Sequence, residues 1–194
     1  MSYLNSLVWL FCFSIFFASS AHAQNKFEKE YRIKTSIVPK SALDFMTDGP
    51  FDKKIKWYAE ESQDGKSIEA KTIYKNKKYS IEFNVDGKPQ DVEQKIPFTS
   101  IPEDLRKQIQ NSLDSIFTKS KVKKTQKQWV GSRSALISLI NQTIVTENYD
   151  VNYELIVKGK KDTQYAYYEI LYNDKGVRLK MLKIIHANTD NLLY

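Results

Sequence analysis

The chain has 194 residues, 30 of them Lys or Arg against 23 Asp or Glu, for a formal net charge of +7. Its one cysteine, Cys12, and one of its two histidines, His22, sit in an apolar leader, which leaves His186 as the only such residue beyond it. Disulfides, thiol chemistry and a conventional zinc or copper site are therefore excluded for the remainder, and no acidic run with a glycine-bearing loop suggests calcium.

Residues 1–23 contain no charged side chain. Leu7 to Phe17 is almost continuously apolar and is followed by Ala18, Ser19, Ser20 and then Ala21-His22-Ala23. This is an export signal with an A-x-A cleavage site, so the mature chain is expected to begin at Gln24. The apolar run is short for a membrane span, which needs about 20 residues. The protein is expected to be periplasmic or secreted, with no transmembrane segment after cleavage.

In the mature region, Val38, Ala42 and Met46 are spaced by four and predict a short helix with Pro39 in its first turn. Ile55, Trp57 and Ala59 alternate as a strand. Asp64-Gly65 marks a turn, Ile68 to Tyr74 a second strand, and Asn76-Lys77 a further turn. Tyr79, Ile81, Phe83 and Val85 alternate with Ser80, Glu82 and Asn84, the pattern of a half-buried strand. Asp86-Gly87 turns the chain into a strand from Val92 to Ile96.

Ser100 and Glu103 have capping-box spacing, and Leu105, Ile109, Leu113, Ile116 and Phe117 form a helical stripe. A strand runs from Val122 to Trp129. An insertion from Gly131 to about Tyr149 carries a helix containing Leu136, Leu139, Ile140 and Ile144. Val151 to Val157 is a strand, Gly159 to Asp162 a loop, and Tyr168, Ile170 and Tyr172 alternate in another strand. Lys175-Gly176 leads to a last strand, Leu179 to Ile185.

The segment Tyr79 to Gly87 aligns with Tyr168 to Gly176, matching Tyr, Ile, an aromatic, Asn and Gly. The chain thus reads as an internal repeat, 24–98 and 99–194, with the insertion near 131–149 in the second copy. The expected fold is α+β: two tandem helix-plus-antiparallel-sheet repeats with helices on one face.

Pro39 with its helix, Ile55-Lys56-Trp57, Glu69-Ala70-Lys71, Lys78 to Phe83 and Val85-Asp86-Gly87-Lys88 resemble the PepSY-like exported proteins of Bacteroidetes-type bacteria, which share the fold of the β-lactamase inhibitory protein. The resemblance implies a non-enzymatic envelope protein whose exposed sheet face holds a partner. No inhibitory-loop residues can be matched.

Four groups of residues bear on chemistry. His186 ends the last strand with no nucleophile motif beside it; it would be the base of an envelope hydrolase, the alternative reading. Glu60 and Glu61 are adjacent and in a strand point to opposite faces, so the pair reads as a solvated strand end. Lys119, Lys121, Lys123, Lys124, Lys127 and Arg133 form a stretch without an acid, read as a lysine-protected edge or as a binder of anionic envelope polymers. Alternation places Tyr58, Lys71, Glu82, Tyr165 and Tyr167 opposite the core, as a surface for an unidentified protein or peptide partner, unless the insertion covers the tyrosines. No catalytic residues, metal, cofactor or nucleic acid are expected.

Overall fold

The computed structural model describes residues 24–63 and 65–185. The leader, Asp64 and His186 lie outside the described residues.

Ten strands form one sheet: β1 (Gln24–Lys26), β2 (Glu28–Arg32), β3 (Lys56–Ser62), β4 (Gly65–Tyr74), β5 (Lys77–Asn84), β6 (Pro89–Lys95), β7 (Lys119–Gly131), β8 (Tyr149–Lys161), β9 (Gln164–Asn173) and β10 (Arg178–Ile184). From β2 to β10 each strand pairs antiparallel with the next in the chain. The first strand instead pairs parallel with β10, Gln24 opposite Leu182 and Lys26 opposite Ile184. β1 and β2 therefore occupy opposite edges of the sheet, yet only Phe27 separates them in the chain. The sheet must curl until its edges meet, and it forms a nearly closed barrel.

This overturns the expected α+β pair of helix-plus-sheet repeats. Strands take 51 % of the described residues and helices 24 %. Pairing continues without a break across residue 98, where Val92 of β6 faces Trp129 of β7. Register shifts at Glu82/Phe83, Val122/Lys124 and Arg178/Lys180 add the local twist that a curling sheet requires. The sequence echo shows in the order of elements, a 3-10 turn and a proline-capped helix before four strands in each half, and in matched turns. Asn84 Oδ1 accepts from Asp86 N and Lys88 N, and Asn173 Oδ1 accepts from Lys175 N and Val177 N. Gly87 (φ 80°) and Gly176 (φ 73°) complete the two turns in a conformation that L side chains rarely adopt.

Three helices pack on the outer face of the barrel: α1 (Lys40–Asp48), α2 (Glu103–Ile116) and α3 (Arg133–Asn141). None of the described helices is long and apolar enough to cross a membrane. Phe45 and Met46 of α1 and Leu136 and Ile140 of α3 share a core with Trp57, Ile81, Phe83, Val92 and Trp129. Phe45 meets Phe83 edge to face at 5.5 Å. Leu105, Ile109 and Leu113 of α2 pack with Tyr153, Leu155, Tyr168, Ile170 and Tyr172 in a second core.

Local expectations need three corrections. Helix α2 is capped by Pro102 and its cap makes no side-chain hydrogen bond, so Ser100 does not serve as expected. The stretch 159–161 continues β8 instead of looping. Ile144 lies beyond α3 and is exposed.

Candidate site inside the barrel

The alternation that buries Tyr79, Ile81 and Phe83 under the helices turns Ser80 and Glu82 toward the barrel interior. The same rule applied strand by strand gives an interior of unusual character. It is a cavity of about 630 Å³, and its lining includes Glu28, Glu30, Glu60, Glu69, Glu82, Asp91, Glu93, Glu154 and Glu169. Nine of the chain's 23 acids thus converge on one cavity of a basic protein.

Register sets like charges side by side. Glu69 lies opposite Glu82, Glu82 opposite Asp91, and Glu30 opposite Glu60. Directly opposed like charges are destabilising in a sheet, so the arrangement costs stability unless cations intervene. Two lysines do. Lys71 Nζ lies 2.7 Å from Glu30 and 3.0 Å from Glu69. Lys26 Nζ lies 2.6 Å from Glu169 and also contacts Glu28. Because Lys26 belongs to β1 and Glu28 to β2, that second lysine stitches the seam of the barrel.

Glu60, Glu82, Asp91, Glu93 and Glu154 have no ion pair among the described residues. Amides of β7 serve two of them: Gln126 Nε2 donates to Glu93 at 2.5 Å and Gln128 Nε2 to Asp91 at 3.0 Å. Burial, followed by Glu28 and Glu82, pushes the Glu60 carboxyl up to about 9. Burial and then Glu169 push Glu154 up to about 7. Asp91 and Glu93 are raised well above the ordinary range, again by burial first and neighbouring acids second. Glu82 is raised by burial too, partly offset by a hydrogen bond from Ser67. Two buried acceptors, Glu30 Oε1 and Gln126 Oε1, have no hydrogen-bond partner among the described residues. Buried groups left this way are uncommon, and both atoms belong to cavity-lining residues.

No family model, no curated protein and no solved structure matches this chain.

The five residues chosen from sequence share the interior face of the sheet. Tyr58 opposes Glu69, and its ring sits 4.8 Å from Lys71 Nζ. Lys71 and Glu82 line the cavity. Tyr165 and Tyr167 stand toward one end, opposite Lys160 and Lys158. Lys158 and Lys160 lie over the Tyr165 ring at 5.2 and 5.9 Å. The insertion does not cover these tyrosines, since α3 packs in the outer core with Trp129.

The basic stretch does not form one surface. Lys124 lines the cavity. Lys119 and Lys121 oppose Lys160 and Lys158 near Tyr165, and Lys123 falls in the bulge. Lys127 points to the outer face, over Trp129 at 5.3 Å. Arg133 contacts Asp48 on the helix side. Glu60 and Glu61 do point to opposite faces, but Glu60 is not a solvated strand end. It lines the cavity, while Glu61 pairs outside with Lys66 at 3.1 Å. Sequence reading missed Asp91, Glu93 and Glu154 altogether. Each occupies an interior position of an alternating strand, and that alternation was the available signal.

Proposed function

We propose that this is an exported binding module of the cell envelope that acts without catalysis and holds basic side chains of a protein or peptide partner inside its curled sheet. One observation carries the reading: five carboxylates without an ion-pair partner among the described residues share a single cavity in a chain of net charge +7. Costly, strongly perturbed groups in a cleft mark functional sites, and an entering ammonium or guanidinium supplies charge and donors to the carboxylates with which no lysine of the cavity makes an ion pair. Two unpaired acceptors, Glu30 Oε1 and Gln126 Oε1, fit a donor-bearing ligand. Tyr165 and Tyr167 offer aromatic area at one end for the rest of the partner.

Calorimetric titration of the chain from Gln24 with lysine- and arginine-rich peptides tests this. Saturable binding is expected, weakened by salt and by Glu82→Gln or Glu154→Gln. Equal affinity for acidic and basic peptides, or no effect of both substitutions, overturns it.

A further inference from the structure

The barrel's own lysines show how its interior takes an ammonium group. Lys71 Nζ sits between Glu30 and Glu69 with the Tyr58 ring 4.8 Å away, and Lys26 Nζ sits between Glu28 and Glu169. Each primary ammonium is shared by two carboxylates from different strands. Two further pairs of carboxylates make no ion pair among the described residues. Glu82 of β5 lies opposite Asp91 of β6, and after burial Glu82 acts most strongly on Asp91. Glu93 of β6 and Glu154 of β8 flank Gln126 of β7. Gln126 Nε2 donates to Glu93 at 2.5 Å, Gln126 lies opposite Glu154 in register, and Glu154 is the charge that acts most on Glu93.

Three features give a ligand for those pairs its shape. Asp91 and Glu93 are two residues apart on one face of β6, which spaces the pairs by about 7 Å. Two ammonium groups joined by a short run of methylenes match that interval. Apolar side chains share the same cavity: Ile156 follows Glu154 on the interior face of β8, Leu171 lies opposite Glu154, and Leu182 comes from β10. They offer methylenes a surface beside the carboxylates. The third feature is Gln126, 4 % exposed and part of the cavity lining, whose Oε1 has no hydrogen-bond partner among the described residues. A buried acceptor of this kind calls for a donor, and a ligand N–H supplies one.

We propose that the cavity binds a free linear aliphatic polyamine, one ammonium held by Glu82 and Asp91, a second held by Glu93 and Glu154 with Gln126 Oε1 accepting from it, and the methylenes laid along Ile156 and Leu171. The inference rests on the reading that this cavity holds cationic groups, and it adds a small molecule as occupant. A volume of about 630 Å³ falls in the range of small-molecule sites.

The test titrates the chain from Gln24 calorimetrically with spermidine, putrescine and the monoamine butylamine at one ionic strength, beside a lysine-rich peptide. Saturable binding of spermidine and putrescine is expected, about tenfold or more tighter than that of butylamine. Asp91→Asn and Glu93→Gln should each weaken it about tenfold or more, and Glu61→Gln, on the outer face, should leave it unchanged. Equal affinity for monoamine and diamine overturns the proposal, as does binding that ignores both cavity substitutions. Peptide binding without polyamine binding overturns it and leaves the peptide reading in place; polyamine binding without peptide binding does the reverse, and binding of neither removes both. Should the substitutions prevent folding, the unaltered protein gives the readout: spermidine should raise Tm more than butylamine at the same concentration, and equal shifts overturn the proposal.

Discussion

Lys71 and Glu30 meet inside the barrel with 2.7 Å between Nζ and Oε2, and both side chains are more than nine-tenths out of water. Glu69 flanks the same ammonium at 3.0 Å. Burial pulls the lysine down, but Glu69 and Glu30 outweigh it and keep it charged. Removing that ammonium leaves two buried carboxylates uncompensated. Lys71→Met is expected to destabilise by about 3–5 kcal/mol, read from urea unfolding. A double variant with Glu30→Gln should recover part of the loss; no recovery would show that the pair is not coupled.

The pH dependence has a definite sign. Above the ordinary carboxylate range the unfolded chain has released its protons, while Glu154 retains one up to about 7 and Glu60 up to about 9. The folded state therefore loses stability as pH rises through those values, by at most about 1.4 kcal/mol per unit for each group. Tm should be higher near about pH 5 than near about pH 9. Glu60→Gln and Glu154→Gln should flatten the profile, and a Tm that rises with pH would refute the assignment. Affinity for a basic peptide should move the other way, increasing as the carboxyls ionise.

Much of the local structure was open to reading. Tyr79, Ile81 and Phe83 announce β5 because a strand with one buried face must alternate. The closure was not. It rests on three residues, 24–26, pairing with 182–184, and no local pattern encodes a contact so distant. That gap also hid the site. Alternation correctly set Glu82 opposite the core, but whether that face meets open water or other carboxylates depends on the curl of the whole sheet. The helix cap failed for a smaller reason: Ser100 belongs to a preceding turn of 3-10 helix and Pro102 takes the cap position.

Neighbouring tyrosines on β9 should separate binding from folding. Tyr165 is exposed on the interior side, whereas Tyr168 is buried against Phe117 with ring centroids 4.8 Å apart. Tyr165→Ala is expected to change stability by less than about 0.5 kcal/mol while weakening peptide capture. Tyr168→Ala should cost about 3–5 kcal/mol. Equal losses of stability would place Tyr165 in the core and remove it from the binding surface.

Gly159 is required by packing within β8. An added Cβ would lie 2.4 Å from Phe117 Cδ1, so the ring, held in the second core, would have to move. Gly159→Ala is expected to cost about 1–3 kcal/mol by thermal or urea unfolding. Combining it with Phe117→Leu should give less than the sum of the two single losses, whereas strict additivity would count against the steric account.

The stitch between Lys26 and Glu169 spans 143 positions of sequence, which gives the barrel an order in time. A chain that emerges N-terminus first presents β1 before the other described strands, but its sheet partner among them is β10, the last of the ten. Every growing intermediate therefore carries an open edge and an unfinished acidic trough. Such distant pairing slows folding and prolongs exposure of strand edges. A partner or chaperone that meets the unfinished chain would find an acidic gutter, and only completion of β10 turns that gutter into a cup.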